Sequence, residues 1–190
     1  MKYLFFDTET TGLPLSWKAP VTDLPNWPRV VQLAWALYDG EGVLLDSKDR
    51  IIKPDGFEIP VGASNIHGIS TERALEEGIS RIEALGEFQA ALASASHMVA
   101  HNMSFDQKVL GAEFLRSDME NVLEAKQAIC TKDISTEYCA LPGNYGYKWP
   151  KLSELHQKLF GEDILDAHNA MVDVNATARC FWELKKRGVV

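Results

Sequence analysis

The chain has 190 residues, 46% of them hydrophobic and 24% charged, and a formal net charge of −8. That length suits one domain over residues 1–190 with a real hydrophobic core. The acidity excludes broad coating of phosphates by Lys and Arg, but it does not exclude contact with phosphates through bound metal, since bound cations invert the local electrostatics.

Lys2 to Phe6 is an apolar run that meets acid at Asp7 and predicts a buried strand. It is too short for a signal-peptide core, and no later run is long enough to span a bilayer, so a cytoplasmic protein with no membrane partner is expected. Residues 12–29 hold four prolines and two tryptophans and read as an ordered surface loop. Val30 to Tyr38 predicts a second strand, Asp39 to Gly42 a turn and Val43 to Lys53 a third strand, together an antiparallel meander. Pro54 to Gly68 reads as irregular. Ser80-x-x-Glu83 has the form of a capping box, and Ile82, Leu85, Phe88 and Leu92 follow at near-helical spacing.

Met98 to Ala100 predicts a short strand, Phe105 to Arg116 a helix, Ala128 to Cys130 another strand and Asp133 to Leu141 a helix. Gly143 to Trp149 is an aromatic-rich loop. Leu152 to Phe160 and Ala170 to Arg187 predict helices stopped by Gly161 and Gly188. A meander followed by alternating helices and strands predicts an α/β fold with a mixed sheet flanked by helices. Cys130, Cys139 and Cys180 form no C-x-x-C pair and read as core or near-core thiols in a reducing compartment.

Asp7 and Glu9 lie two apart on an extended segment, so their carboxylates share a face. Neighbouring carboxylates repel each other and need a proton or a cation, and hard cations such as Mg²⁺ take oxygen ligands. Taken alone, such a pair also suits the plain end of a strand or the cap of a turn. The longer run Phe6-Asp7-Thr8-Glu9-Thr10-Thr11-Gly12-Leu13 resembles the first motif of the DnaQ-like (DEDDh) exonuclease superfamily. That family includes the polymerase III proofreading subunit, RNase T and oligoribonuclease. The resemblance implies an RNase H-like fold, makes Asp7 and Glu9 metal ligands, and puts Thr10, Gly12 and Leu13 against the terminal nucleotide.

His101-Asn102-Met103-Ser104-Phe105-Asp106 resembles the second motif. It implies Asp106 as a metal ligand, with Asn102 and Phe105 near the substrate. Read alone, an Asp at a helix start is as well explained as a cap. Asp166-Ala167-His168-Asn169-Ala170-Met171-Val172-Asp173 resembles the third motif in its histidine form. Residues five apart on one helix stand about 140° apart, so His168 and Asp173 should not share a helix face. The two are reconciled if His168 precedes the helix and Asn169 caps it. Ser64 to Ser70 resembles the family's H-G-I segment, which implies a substrate role for His67; a structural loop role explains it equally. Tyr145, Tyr147 and Trp149 could stack on bases, although packing explains most of them more simply. Lys185, Lys186 and Arg187 sit where cations suit a helix C-terminus.

The resemblance implies two divalent ions, Mg²⁺ or Mn²⁺, with Asp7 bridging them and Glu9, Asp106 and Asp173 completing the set. An imidazole, ordinarily titrating near 6.5, suits His168 to take a proton from the attacking water. The expected partner is DNA or RNA with a free 3′ end, cut from single-stranded ends to nucleoside 5′-monophosphates. A homodimer is left open. A stable polymerase complex is not expected, because no C-terminal extension follows the last helix. Two other classes compete: a dehalogenase-type phosphatase with Asp7 as nucleophile, faintly supported by Gly161-Glu162-Asp163-x-x-Asp166, and a non-catalytic nucleic-acid-binding module on the same fold.

Overall fold

Alternation along the first strand, β1 (Lys2–Thr10), decides the layers of the molecule. The computed structural model describes residues 1–165 and 167–190. β1 pairs antiparallel with β2 (Val30–Asp39), which pairs antiparallel with β3 (Leu44–Ile51). On its other side β1 runs parallel to β4 (His97–Ala100), and β4 parallel to β5 (Gln127–Cys130), giving the order β3-β2-β1-β4-β5. This is the predicted mixed sheet.

Leu4 and Phe6 turn to one face, where they pack with Trp35, with Phe88 and Leu92 of α3 (Arg81–Ser94), and with Leu110 and Phe114 of α4 (Met103–Arg116). Tyr3 and Phe5 turn to the other, against Val174, Ala178 and Phe181 of α8 (Ala170–Lys186). Each fully buried aromatic of this kind stabilises the fold by about 1.5–3 kcal/mol.

Several expectations needed correction. The stretch read as irregular contains α1 (Val61–His67), closed by Gly68 at φ 74°, and α2 (Thr71–Glu77) follows it. Neither is long enough to show a period, and α1 has no side-chain N-cap. Their Ala63 and Ala74 pack with Val31, Ile59 and Ile69. The helix expected over 133–141 is two short ones, α5 (Thr131–Ile134) and α6 (Thr136–Cys139), parted at Ser135, whose hydroxyl donates to the Thr131 carbonyl at 2.6 Å. Within the loop expected at 143–149, β7 (Gly146–Tyr147) pairs with β6 (Pro142–Gly143). α7 (Leu152–Phe160) ends at Gly161 as read from sequence. Tyr145, Tyr147 and Trp149 pack against little; all three are exposed.

The insert at 12–29 is more than a surface loop. Trp27 is only 3% exposed and joins the core, and its indole N–H donates to the Pro20 carbonyl at 3.0 Å. Val21 seats against α4 so closely that a Cβ on Gly111 would stand 2.9 Å from it. Arg116 donates to the carbonyls of Leu24 at 2.6 Å and Trp27 at 2.7 Å. It also donates to Glu113 at 2.9 Å, a buried carboxylate that takes a further bond from Arg29 at 2.8 Å. Cys139 and Cys180 are buried, Cys130 is partly buried, and all three are free thiols.

Candidate active site

β1 and β4 run parallel, and the acidic groups collect at their carboxyl ends, the edge at which open α/β sheets present crevices. Asp7 and Glu9 lie opposite Ala34 and Gln32 of β2, on the α8 face of the sheet, and a bulge between Glu9 and Thr10 ends the regular pairing. Asp173 comes from the first turn of α8. Carboxylate oxygens of Asp7, Glu9 and Asp173 lie within 4.8 Å of one another.

Asp106 reaches the group from the other layer. It is buried in the first turn of α4, and its Oδ1 accepts the Thr8 backbone N–H at 3.1 Å and the Thr8 hydroxyl at 2.8 Å. Its Thr8 partner therefore lies across the sheet edge. Asn102 holds the N-cap position of α4, in a left-handed conformation at φ 82°, and its side-chain oxygen accepts from Lys132 Nζ at 2.6 Å.

Burial, then the charges of Asp106, Asp173 and Glu9, hold the Asp7 carboxyl well above the ordinary range. Burial, with Asp173 and Asp106 adding, pushes Glu9 up to about 7. Asp106 rises to about 7, chiefly by burial, with the Thr8 hydrogen bonds opposing. Asp173 is raised by burial and partly restored by its bond from His168. All four shifts mean that the ionised cluster is disfavoured without a cation.

His168 stands exposed just before α8, at φ 70°, a conformation that residues with side chains adopt seldom. Its backbone N–H donates to Asp173 Oδ2 at 3.2 Å. Asn169 caps α8 as expected from the spacing, accepting from Met171 and Val172 at 3.1 and 3.3 Å. Asp166, the first residue of that motif, lies outside the described residues. Thr10 is buried and its hydroxyl donates to the Gly12 carbonyl at 2.7 Å, while Gly12 adopts φ 150°. Leu13 is exposed beyond it. Buried His67 accepts the Ile69 N–H on Nδ1 at 3.2 Å, so its other nitrogen carries the proton; burial lowers its pKa while the Thr10 backbone works against that. Phe105 packs at a tilt of 49° against Trp17 of the insert, ring centres 5.7 Å apart.

Three supporting residues were not singled out from sequence. Thr8 aims Asp106. Gln32, buried, accepts the Ala170 N–H at 3.1 Å and donates to Asp49 at 2.7 Å, tying the start of α8 to β2. Its signal was a lone amide in the apolar run Val30-Val31-Gln32-Leu33-Ala34. Lys132 faces Asn102 from α5 and carried no signal at all. Glu162, part of the acidic run that favoured a phosphatase, is paired with Arg179 at 2.9 Å.

Residues 4–181 match the RNase T family, a family of exonucleases. DNA polymerase III PolC-type of Pediococcus pentosaceus is 28% identical over 185 residues, and that of Staphylococcus saprophyticus 26% over 189. Each match covers 97% of this chain but 11% of the relative, so the chain spans about a tenth of their length. Among solved structures, E. coli Exonuclease I in complex with a dT13 oligonucleotide superposes with a TM-score of 0.78 at 23% identity, over 98% of this chain and 41% of that one. The zinc-bound form of the E. coli Exonuclease I–ssDNA complex gives 0.79 at 23%, over the same shares. These neighbours share the RNase H-like fold with its mixed sheet, and the family match leaves no place for a dehalogenase-type phosphatase. The chain belongs to the RNase T family of exonucleases, within the DnaQ-like superfamily.

Proposed function

We propose that residues 1–190 act as one 3′→5′ exonuclease domain that releases nucleoside 5′-monophosphates from single-stranded DNA or RNA. The observation that carries this reading is the meeting of Asp7, Glu9 and Asp173 within 4.8 Å, with Asp106 coupled to them and no cation of the chain compensating them among the described residues. Acceptor-only oxygens whose mutual repulsion holds their pKa values up are the donor set that hard divalent cations favour. In this reading Asp7, Glu9, Asp106 and Asp173 hold two such ions, Mg²⁺ or Mn²⁺. Bound there, the ions would offset charge on the attacking and leaving oxygens of the phosphodiester. A fold neighbour solved with zinc and single-stranded DNA is consistent with this chemistry.

The remaining work falls to the chain. Glu9 and the Thr10–Leu13 turn receive the terminal nucleotide and its 3′-OH, with Phe105 and His67 beside it. Thr8 fixes Asp106, and Gln32 fixes the start of α8. His168 takes the proton of the attacking water; its exposed position at the rim gives both water and bulk solvent access. The domain is expected to act in the cytoplasm, and light scattering of the purified chain would tell monomer from homodimer. Among the described residues no helix is long and apolar enough to cross a membrane.

The test is incubation of labelled single-stranded DNA, RNA and short oligoribonucleotides with Mg²⁺ or Mn²⁺. Shortening from the 3′ end, blocked by a 3′-phosphate and indifferent to a 5′ modification, is the expected result. Equal cleavage of circular and linear strands would overturn the exonuclease polarity, and no hydrolysis at all would revive the non-catalytic binding module.

A further inference from the structure

A cleft of about 530 Å³ is lined by His168 and Asp173 at one part and by Trp149, Pro150 and Lys151, the loop before α7, at another. One wall is Trp149, 66% exposed although it is a large aromatic. Lys132 Nζ lies 4.6 Å from its ring centre. Lys132 and Lys151 both line the cleft, and among the described residues neither has a carboxylate within 4.0 Å.

The wall is fixed in place. Burial pushes the His101 pKa down to about 4, so the ring is neutral. The Pro150 carbonyl can only accept, so Nε2 donates to it at 3.1 Å and Nδ1 accepts from the Thr131 hydroxyl at 2.9 Å. His101 thereby ties the residue after Trp149 to the residue before Lys132, and keeps indole and ammonium together.

The cleft shares His168 and Asp173 with the carboxylate site and takes none of its lining from the Thr10–Leu13 turn, which lines a separate hollow. If the turn holds the terminal nucleotide, as in the function proposed above on which this inference rests, the scissile phosphate lies between them and the next nucleotide enters the cleft. We propose that this cleft binds the nucleotide immediately 5′ of the scissile bond, its base stacked on Trp149 and its phosphate held by Lys132 and Lys151. A duplex cannot offer that base without unpairing it, so the cleft also selects single strands. His101 is a positioning residue.

The test uses single-stranded decamers with either a normal or an abasic residue at the penultimate position from the 3′ end. Trp149→Ala should raise KM for the normal strand about tenfold, the scale of one base stack, with kcat changed less than threefold, and Trp149→Phe should recover most of the loss. The abasic strand should cost the wild type the same factor and cost Trp149→Ala nothing further. A penultimate 2-aminopurine, read by fluorescence in EDTA to prevent hydrolysis, should be quenched on binding to the wild type and not to Trp149→Ala. An unchanged KM in Trp149→Ala, or an abasic penalty equal in both proteins, overturns the cleft while leaving the exonuclease reading intact. A wild type that binds the probe with quenching but hydrolyses neither decamer supports the cleft and overturns the exonuclease.

Discussion

The buried Glu113 and its surroundings form one group, and the cluster of buried Asp106 with part-buried Asp7, Glu9 and Asp173 a second; the two answer the same electrostatic problem in opposite ways. Glu113, 1% exposed, is ringed by Arg29 at 2.8 Å, Arg116 at 2.9 Å and Arg81 at 3.7 Å. Asp7, Glu9, Asp106 and Asp173 gather with hydrogen bonds from Thr8 and His168 and with no arginine or lysine paired to them among the described residues. The first group is complete and holds an insert to a helix. The second has no such partner among the described residues, and burial with mutual repulsion raises its pKa values. Compensation from within the chain thus sets Glu113 apart from the carboxylates proposed above as the functional site.

The largest expected effect separates the two groups by chemistry. His168→Ala should lower kcat by about 10²–10⁴-fold and still gain melting temperature from Mg²⁺ or Mn²⁺, because the carboxylates remain; near-normal kcat would assign the proton transfer elsewhere. Next, Glu113→Ala should destabilise the protein by about 3 kcal/mol, since three guanidinium groups lose their common partner, as read from urea denaturation midpoints. A loss under 1 kcal/mol would mean that solvent, not Glu113, satisfies those arginines.

The acidic cluster should show the reverse sign in pH. Its carboxyls titrate higher in the folded chain than in the unfolded one, toward about 7 for Glu9 and Asp106. The unfolded state thus releases these protons first. The cluster's contribution to stability in EDTA should be fully present near about pH 4, the ordinary carboxyl range, and be lost as pH rises to about 7. Saturating Mg²⁺ should flatten that fall. Denaturation midpoints at four pH values, with and without metal, would decide it; a metal-free profile that rises over this window contradicts the raised values.

The smallest effect is the sharpest test of Asp106. Asparagine removes the charge and keeps an oxygen for the Thr8 N–H. Asp106→Asn should be inactive, yet melt a few degrees higher than wild type in EDTA, a shift worth about 1 kcal/mol at this chain length. It should also gain less from metal. A lower melting temperature together with a full metal response would remove Asp106 from the site.

What the sequence made legible follows from the range of the forces involved. Strand alternation placed Asp7 and Glu9 on one face, and helix capping put His168 ahead of α8 with Asn169 as its cap, because both depend on neighbours within a few residues. The link from Thr8 to Asp106 spans 98 positions and that from Gln32 to Ala170 spans 138, so no local pattern announces them. The insert misled for a related reason. Prolines suggested a surface loop, while the residues that bury Trp27 come from α4, about ninety positions on. Short α1 and α2 escaped because seven residues show barely two turns.

The strict alternation of β1 has a consequence for how this chain can change. Residues 3 and 5 serve one layer, 4 and 6 the other, 7 and 9 carry acids, and 8 aims a third acid from behind. Deleting Phe5 would present Leu4 to α8 and Tyr3 to α3 if the pairing beyond it were kept. Keeping the core instead would carry the acids to the wrong side. Hydrolytic chemistry and folding thus share one reading frame in space. Length variation should be purged from this strand even in lineages that have lost activity, and tolerated in the turn at Asp39–Gly42, where neither depends on it.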